Sequence, residues 1–173
     1  MSSFQHELMT ADLSFNQTIQ ADLRHYFTAT QTTCMCLDMF TNGLLPFYLS
    51  KTLPKTAYLG SFSCSDITQS QAFTQLKPGT LASAGHSLSC AKQIASLYRC
   101  HVSICISGIL SNPDQAGFCT SKIYLAFSFY GHESEKIIEC VGTQDDIYQQ
   151  AIQASLGYLK LLFIKYPKKQ KEY

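Results

Sequence analysis

Residues 100–130, CHVSICISGILSNPDQAGFCTSKIYLAFSFY, constrain the fold more than any other part of this chain. Two apolar, β-rich runs, 102–106 and 123–129, flank a polar loop. Ser107-Gly108-Ile109 opens that loop and Asn112-Pro113-Asp114 lies within it. A buried strand that ends in a small-residue turn, followed by a polar loop, is how α/β proteins build a ligand pocket at a sheet edge.

The remaining segments alternate helical and extended patterns. Leu8, Phe15, Ile19, Leu23 and Tyr26 share one helical stripe and predict an opening helix to Asp22 or slightly beyond. Residues 26–32 alternate polar and β-prone side chains and read as a first strand. Residues 34–52 read as a helix interrupted near Gly43 and Pro46, closed by Pro54. A second strand is expected over 57–64, a short helix capped by Ser65-Asp66 as far as 76, and a turn at Lys77-Pro78-Gly79. A helix over 81–99 presents Leu88, Ala91, Ala95 and Tyr98 on one face. After the central strands come a Gly131-His132 turn and an edge strand over 136–141. Thr143 caps a last helix that carries Asp145 and Asp146 in its first turn, where the helix dipole favours acids. Pro167 stops that helix. The order gives a three-layer α/β/α sandwich with a mixed, mainly parallel sheet. It forms one domain over residues 1–166 with a basic tail at 167–173.

Charged residues make up 14% of the chain and the net charge is +1, so no global field selects nucleic acid, a membrane surface or an acidic partner. No apolar run approaches the ~20 residues of a membrane span, and MSSFQHELMTADL lacks the pattern of a secretory signal. A cytoplasmic location follows as the expectation. The 8 cysteines are scattered, with Cys34-Met35-Cys36 as the nearest spacing and no C-x-x-C pair. They are expected to be reduced, buried, small apolar side chains, and no metal or other cofactor is expected.

Several strings resemble the C-terminal domain of the competence/damage-inducible CinA proteins. Ile106-Ser107-Gly108-Ile109 followed by Pro113 is similar to that family's (S/T)-G-I-A-G-P-x-G-G loop. KIYLAF at 122–127 resembles the strand after K-P-V-G-T, Leu81-Ala82-Ser83 the A-V-S that opens the middle helix, and Gly142 the glycine of G-D-R. The resemblance runs from about residue 8 to 165. It implies the CinA C-terminal fold, homodimers or larger homo-oligomers, and amide hydrolysis of nicotinamide mononucleotide with release of ammonia.

That chemistry needs a nucleophile, a base and oxyanion donors. The family's E-S-C-T-G-G sits where the first strand enters a helix. By the resemblance its serine falls on Thr33 and its cysteine on Cys34, which leaves Thr33, Cys34 or Cys36 as candidate nucleophiles and removes the acid and both glycines. V-T-Y-S-N-E-A-K is matched by residues 62–69, so Cys64 and Gln69 replace the tyrosine and lysine. Glutamine cannot take the nucleophile's proton. Ser65 and Asp66 remain as ligand contacts or as a helix cap. Gln144 stands where G-D-R has arginine, and the loop at 110–117 lacks the phosphate-cradling glycines.

Three functions fit. The first is a catalytically degenerate CinA-type domain that binds a protein partner or acts as a scaffold, its pocket filled by side chains such as Met35 and Leu37. The second is an amidohydrolase with a substituted nucleophile. The third is a small-molecule module that uses Ser107, Gly108, Asn112 and Asp114 with Ser65 and Asp66. Phe4, Phe40, Phe47, Tyr48 and Phe73 are available to an oligomer interface or to the core.

Overall fold

The computed structural model describes residues 17–64 and 82–167. A first helix, α1, occupies residues 17–29. It is followed by β1 (Cys34–Asp38), α2 (Leu44–Thr52), β2 (Tyr58–Ser63), α3 (Ala84–Leu97), β3 (Val102–Leu110), β4 (Cys119–Phe129), β5 (His132–Gly142) and α4 (Gln144–Lys165). The expected short helix after Ser65, the 77–79 turn, Phe4, Phe73 and all of the basic tail except Pro167 lie outside the described residues.

One sheet holds the strands in the order β2-β1-β3-β4-β5. β2, β1 and β3 run parallel, whereas β3-β4 and β4-β5 are antiparallel. Side-chain alternation sends each strand's residues to two layers. Cys34, Cys36, Ile104, Ile106, Leu125 and Phe127 face α1, α2 and α4 in the larger core. Met35, Leu37, Cys105 and Ala126 face α3 in the smaller one. This is the expected α/β/α sandwich with a mixed sheet.

Two early elements differ from the sequence expectation. Residues 26–29 continue α1 instead of starting a strand. Their threonines settle in the helix by bonding back to carbonyls: Thr28 Oγ1 donates to Arg24 O at 2.8 Å and Thr30 Oγ1 to Tyr26 O at 2.7 Å. Phe27 is then carried under α4, edge-on to Phe163 at 5.0 Å, and Asp22 pairs with Lys160 at 2.6 Å. Residues 34–38, expected to be helical, form β1, whose five residues are all buried. A strand covered on both faces shows a continuous apolar run that periodicity cannot separate from a helix.

The polar loop also starts later than expected. Gly108 pairs with Ile123 inside β3, so Ser107-Gly108-Ile109 belongs to the strand and not to a turn. A bulge between the first residues of the β1–β2 pairing, at Leu59-Gly60, turns Phe62 toward α3 and Tyr98. Thr143 caps α4 as expected, in a reciprocal box with Asp146.

Candidate functional site

The C-terminal ends of the parallel strands are where open α/β sheets bind ligands. Here the loop from β1 to α2, residues 39–43, is built around one carboxylate. Asp38 is 1% exposed. Its Oδ1 accepts from Phe40 N (3.0 Å) and Thr41 N (2.7 Å), and its Oδ2 accepts from Thr41 Oγ1 (2.6 Å) and Gly43 N (2.8 Å). Thr41 Oγ1 in turn accepts from Leu45 N at 2.9 Å, which satisfies a donor of the first turn of α2. The loop closes through Asn42 and Gly43, both left-handed at φ 53° and 88°. Glycine takes that conformation without a side-chain clash.

Met39 and Phe40 turn inward from this loop, each 8% exposed. Met39 enters the α3 layer beside Cys64 and Cys90. Phe40 lies over β3 at Gly108: a Cβ on that glycine would be 2.6 Å from Phe40 Cδ2. The ring also meets Tyr148 edge-on at 5.5 Å. Tyr148 OH accepts from Asn42 Nδ2 (3.2 Å) and Gln144 Nε2 (2.7 Å), so the start of α4 is tied to the loop.

The sequence-derived candidates do not converge here. Thr33 precedes β1 at the opposite end of the sheet, and Cys34 and Cys36 lie inside β1 rather than at a helix N-terminus. Both thiols are fully buried, and burial pushes them well above the ordinary cysteine range. Met35 and Leu37 are core residues facing α3. Ser107 is buried and hydrogen-bonded to Ser87 at 2.6 Å. Asn112 is exposed. Asp114 spends Oδ1 on the amides of Ala116 (2.9 Å) and Phe118 (2.8 Å), a loop-building role. Ser65, Asp66 and Gln69 lie outside the described residues. All 8 cysteines are free and, among the described residues, no cluster of His, Cys, Asp or Glu is suited to a metal ion.

The sequence reading missed His101. Thr33 and His101 stand side by side just before the paired starts of β1 and β3, Cys34 and Val102. Thr33 N donates to His101 Nδ1 at 3.1 Å, which makes Nδ1 the unprotonated nitrogen, and Thr33 Oγ1 lies 2.8 Å from the same nitrogen, whose single lone pair the two groups share. His101 N closes the arrangement by donating to Thr33 Oγ1 at 3.2 Å. Both residues are half-buried.

His86 is a second histidine of consequence. It sits in the first turn of α3, 8% exposed, with Nε2 3.5 Å from Cys90 Sγ. Burial lowers its pKa from the ordinary 6.5. The unfolded chain therefore binds a proton at this site more readily than the folded one, so stability falls as pH drops below about 6.5. His86→Gln is expected to flatten that part of a denaturation profile measured from pH 7.5 to 5. An unchanged acid slope would remove His86 as its source.

Solved structures of similar shape decide the fold. A CinA-superfamily protein from Klebsiella pneumoniae superposes with TM-score 0.75 at 15% identity, covering 87% of this chain and 99% of that one. A competence or damage-inducible protein from Enterobacter asburiae gives 0.71 at 19% identity, over 83% and 94%. A CinA-superfamily protein from Escherichia coli gives 0.72 at 17%, over 85% and 90%. The fold is that of the CinA superfamily. No family model and no curated protein matches the chain.

In this chain the junction at which the first strand enters a helix is Asp38-Met39-Phe40-Thr41-Asn42-Gly43, and Thr33 lies at the other end of that strand.

Proposed function

We propose that this chain is a catalytically degenerate CinA-fold protein that acts by binding a protein partner or as a scaffold. The observation that carries this reading is Met39, a buried thioether at the junction of β1 and α2; if E-S-C-T-G-G is laid on Asp38–Gly43, the junction where the resemblance puts that motif, the serine falls on Met39. The rest of the loop agrees. Its one hydroxyl, on Thr41, is fully buried and engaged with Asp38 and Leu45. Asp38 has spent its carboxylate on the loop's own donors and has no role left as a base. Phe40 occupies the space above Gly108, and Gln144 binds Tyr148 instead of presenting a cation to a phosphate. A partner or a second copy of the chain would meet exposed apolar groups such as Phe47 and Leu44 on α2, 55% and 36% exposed. No helix among the described residues is long and apolar enough to cross a membrane.

The test is ligand-linked stability. Nicotinamide mononucleotide at millimolar concentration is expected to leave the unfolding midpoint unchanged, because a ligand that does not bind the folded state contributes no stabilisation. A dose-dependent rise in the midpoint would sink the proposal.

A second reading rests on the Thr33 hydroxyl, 2.8 Å from an imidazole nitrogen that can accept its proton. This is the geometry of an activated nucleophile, and the half-buried side chains leave it partly accessible. It predicts ammonia release from the same nucleotide that Thr33→Ala and His101→Gln both abolish and Thr33→Ser retains. Activity indifferent to both residues would exclude the pair.

A further inference from the structure

A cavity of about 410 Å³ opens at the N-terminal ends of β1 and β2, remote from the loop at residues 39–43. We propose that it binds a small neutral polyhydroxylated molecule of the sugar or polyol class. The inference is independent of the proposed loss of catalysis, because it uses none of the same residues.

The walls supply hydroxyls and a carboxamide from Thr28, Gln31, Thr32 and Thr56, over apolar contacts from Phe27 and Ala57. Among the described residues, no charged side chain lines it. A formal charge entering this space would lose hydration without a counter-charge, whereas a neutral ligand carrying O–H groups on a carbon frame matches both kinds of wall.

Thr32 specifies what the ligand must offer. It is 1% exposed, and its Oγ1 is hydrogen-bonded to Thr30 Oγ1 and to Tyr130 OH. The direction of these bonds follows from the last acceptor. Thr30 Oγ1 donates to the carbonyl of Tyr26 at 2.7 Å, and a carbonyl can only accept. Thr30 has then used its proton, so Thr32 donates to Thr30 and Tyr130 donates to Thr32. The relay runs Tyr130 to Thr32 to Thr30 to Tyr26, all in one direction. Thr32 Oγ1 keeps one lone pair beyond the one that Tyr130 fills, in a buried residue that lines the cavity. The ligand group that satisfies it is a donor, an O–H.

Two further residues line the cavity. Thr28 has given its Oγ1 proton to Arg24 O, so that oxygen offers a ligand only lone pairs. Gln31, left-handed at φ 50°, follows just after α1 ends.

Amide-resolved NMR titration of the full chain with D-ribose, D-glucose and glycerol tests the proposal, with D-ribose 5-phosphate as the charged comparison. The expected result is saturable shifts confined to residues 27–32 and 54–57, of millimolar affinity, for at least one neutral probe and weaker for the phosphate. Thr32→Val removes the acceptor at nearly constant volume and is expected to weaken binding about tenfold. Thr56→Phe alters an exposed residue at the rim, and so leaves folding intact while blocking entry. Overturning results are an absence of saturable shifts with every neutral probe, stronger binding of the phosphate, or binding unchanged in both variants.

Discussion

Asp38→Ala is expected to lower the unfolding free energy by about 4 kcal/mol. The carboxylate accepts four hydrogen bonds while 1% exposed, three of them from backbone amides of the loop it precedes. Bonds to a charged acceptor contribute about 1.5–3 kcal/mol each, and they are not additive, because some of the freed donors reach water once the loop loosens. Asp38→Asn keeps the shape but turns an NH₂ toward donors, so its cost is expected to be about 2–3 kcal/mol. Chemical denaturation measures both. A loss under about 1 kcal/mol for the alanine variant would mean that the loop is organised by something other than this residue.

The second large effect is expected at Gly108. A methyl group there would meet Phe40 Cδ2 at 2.6 Å and Cε2 at 2.7 Å, with Lys122 O at 3.1 Å behind it. Overpacking of this kind costs about 2 kcal/mol, because the ring is held on its other side by Tyr148. Gly108→Ala made together with Phe40→Ala is expected to cost only about 0.5 kcal/mol relative to Phe40→Ala alone, since the main obstacle has gone. Equal costs in the two backgrounds would show that Phe40 does not occupy the space over β3.

The architecture could be read from the sequence where patterns were long and capped. Thr143 with Asp146, the stripe of α4 and the apolar runs of β3 and β4 each speak for themselves. β1 could not be read, because Cys34–Asp38 is buried on both faces and such a run carries no period. A helix over 34–52 puts the strand-to-helix junction at Thr33, whereas β1 puts it at Asp38–Gly43. His101 was invisible for a different reason. It meets Thr33 only because β1 and β3 pair in a register that puts their first residues together, a non-local fact that no string of neighbours encodes. The threonines at 28, 30 and 32 suggested a strand by β-propensity, but tertiary burial of Phe27 prevailed over propensity.

The central proposal is that the CinA fold is present here without the amide hydrolysis that the sequence resemblance implies. Ammonia release from nicotinamide mononucleotide by the purified chain addresses it most directly, with Thr33→Ala and Cys34→Ala measured alongside. The account predicts no ammonia above the buffer control for any of the three proteins. Steady turnover by the unaltered chain, lost on replacing Thr33, would contradict it and make the Thr33–His101 pair the working nucleophile and base.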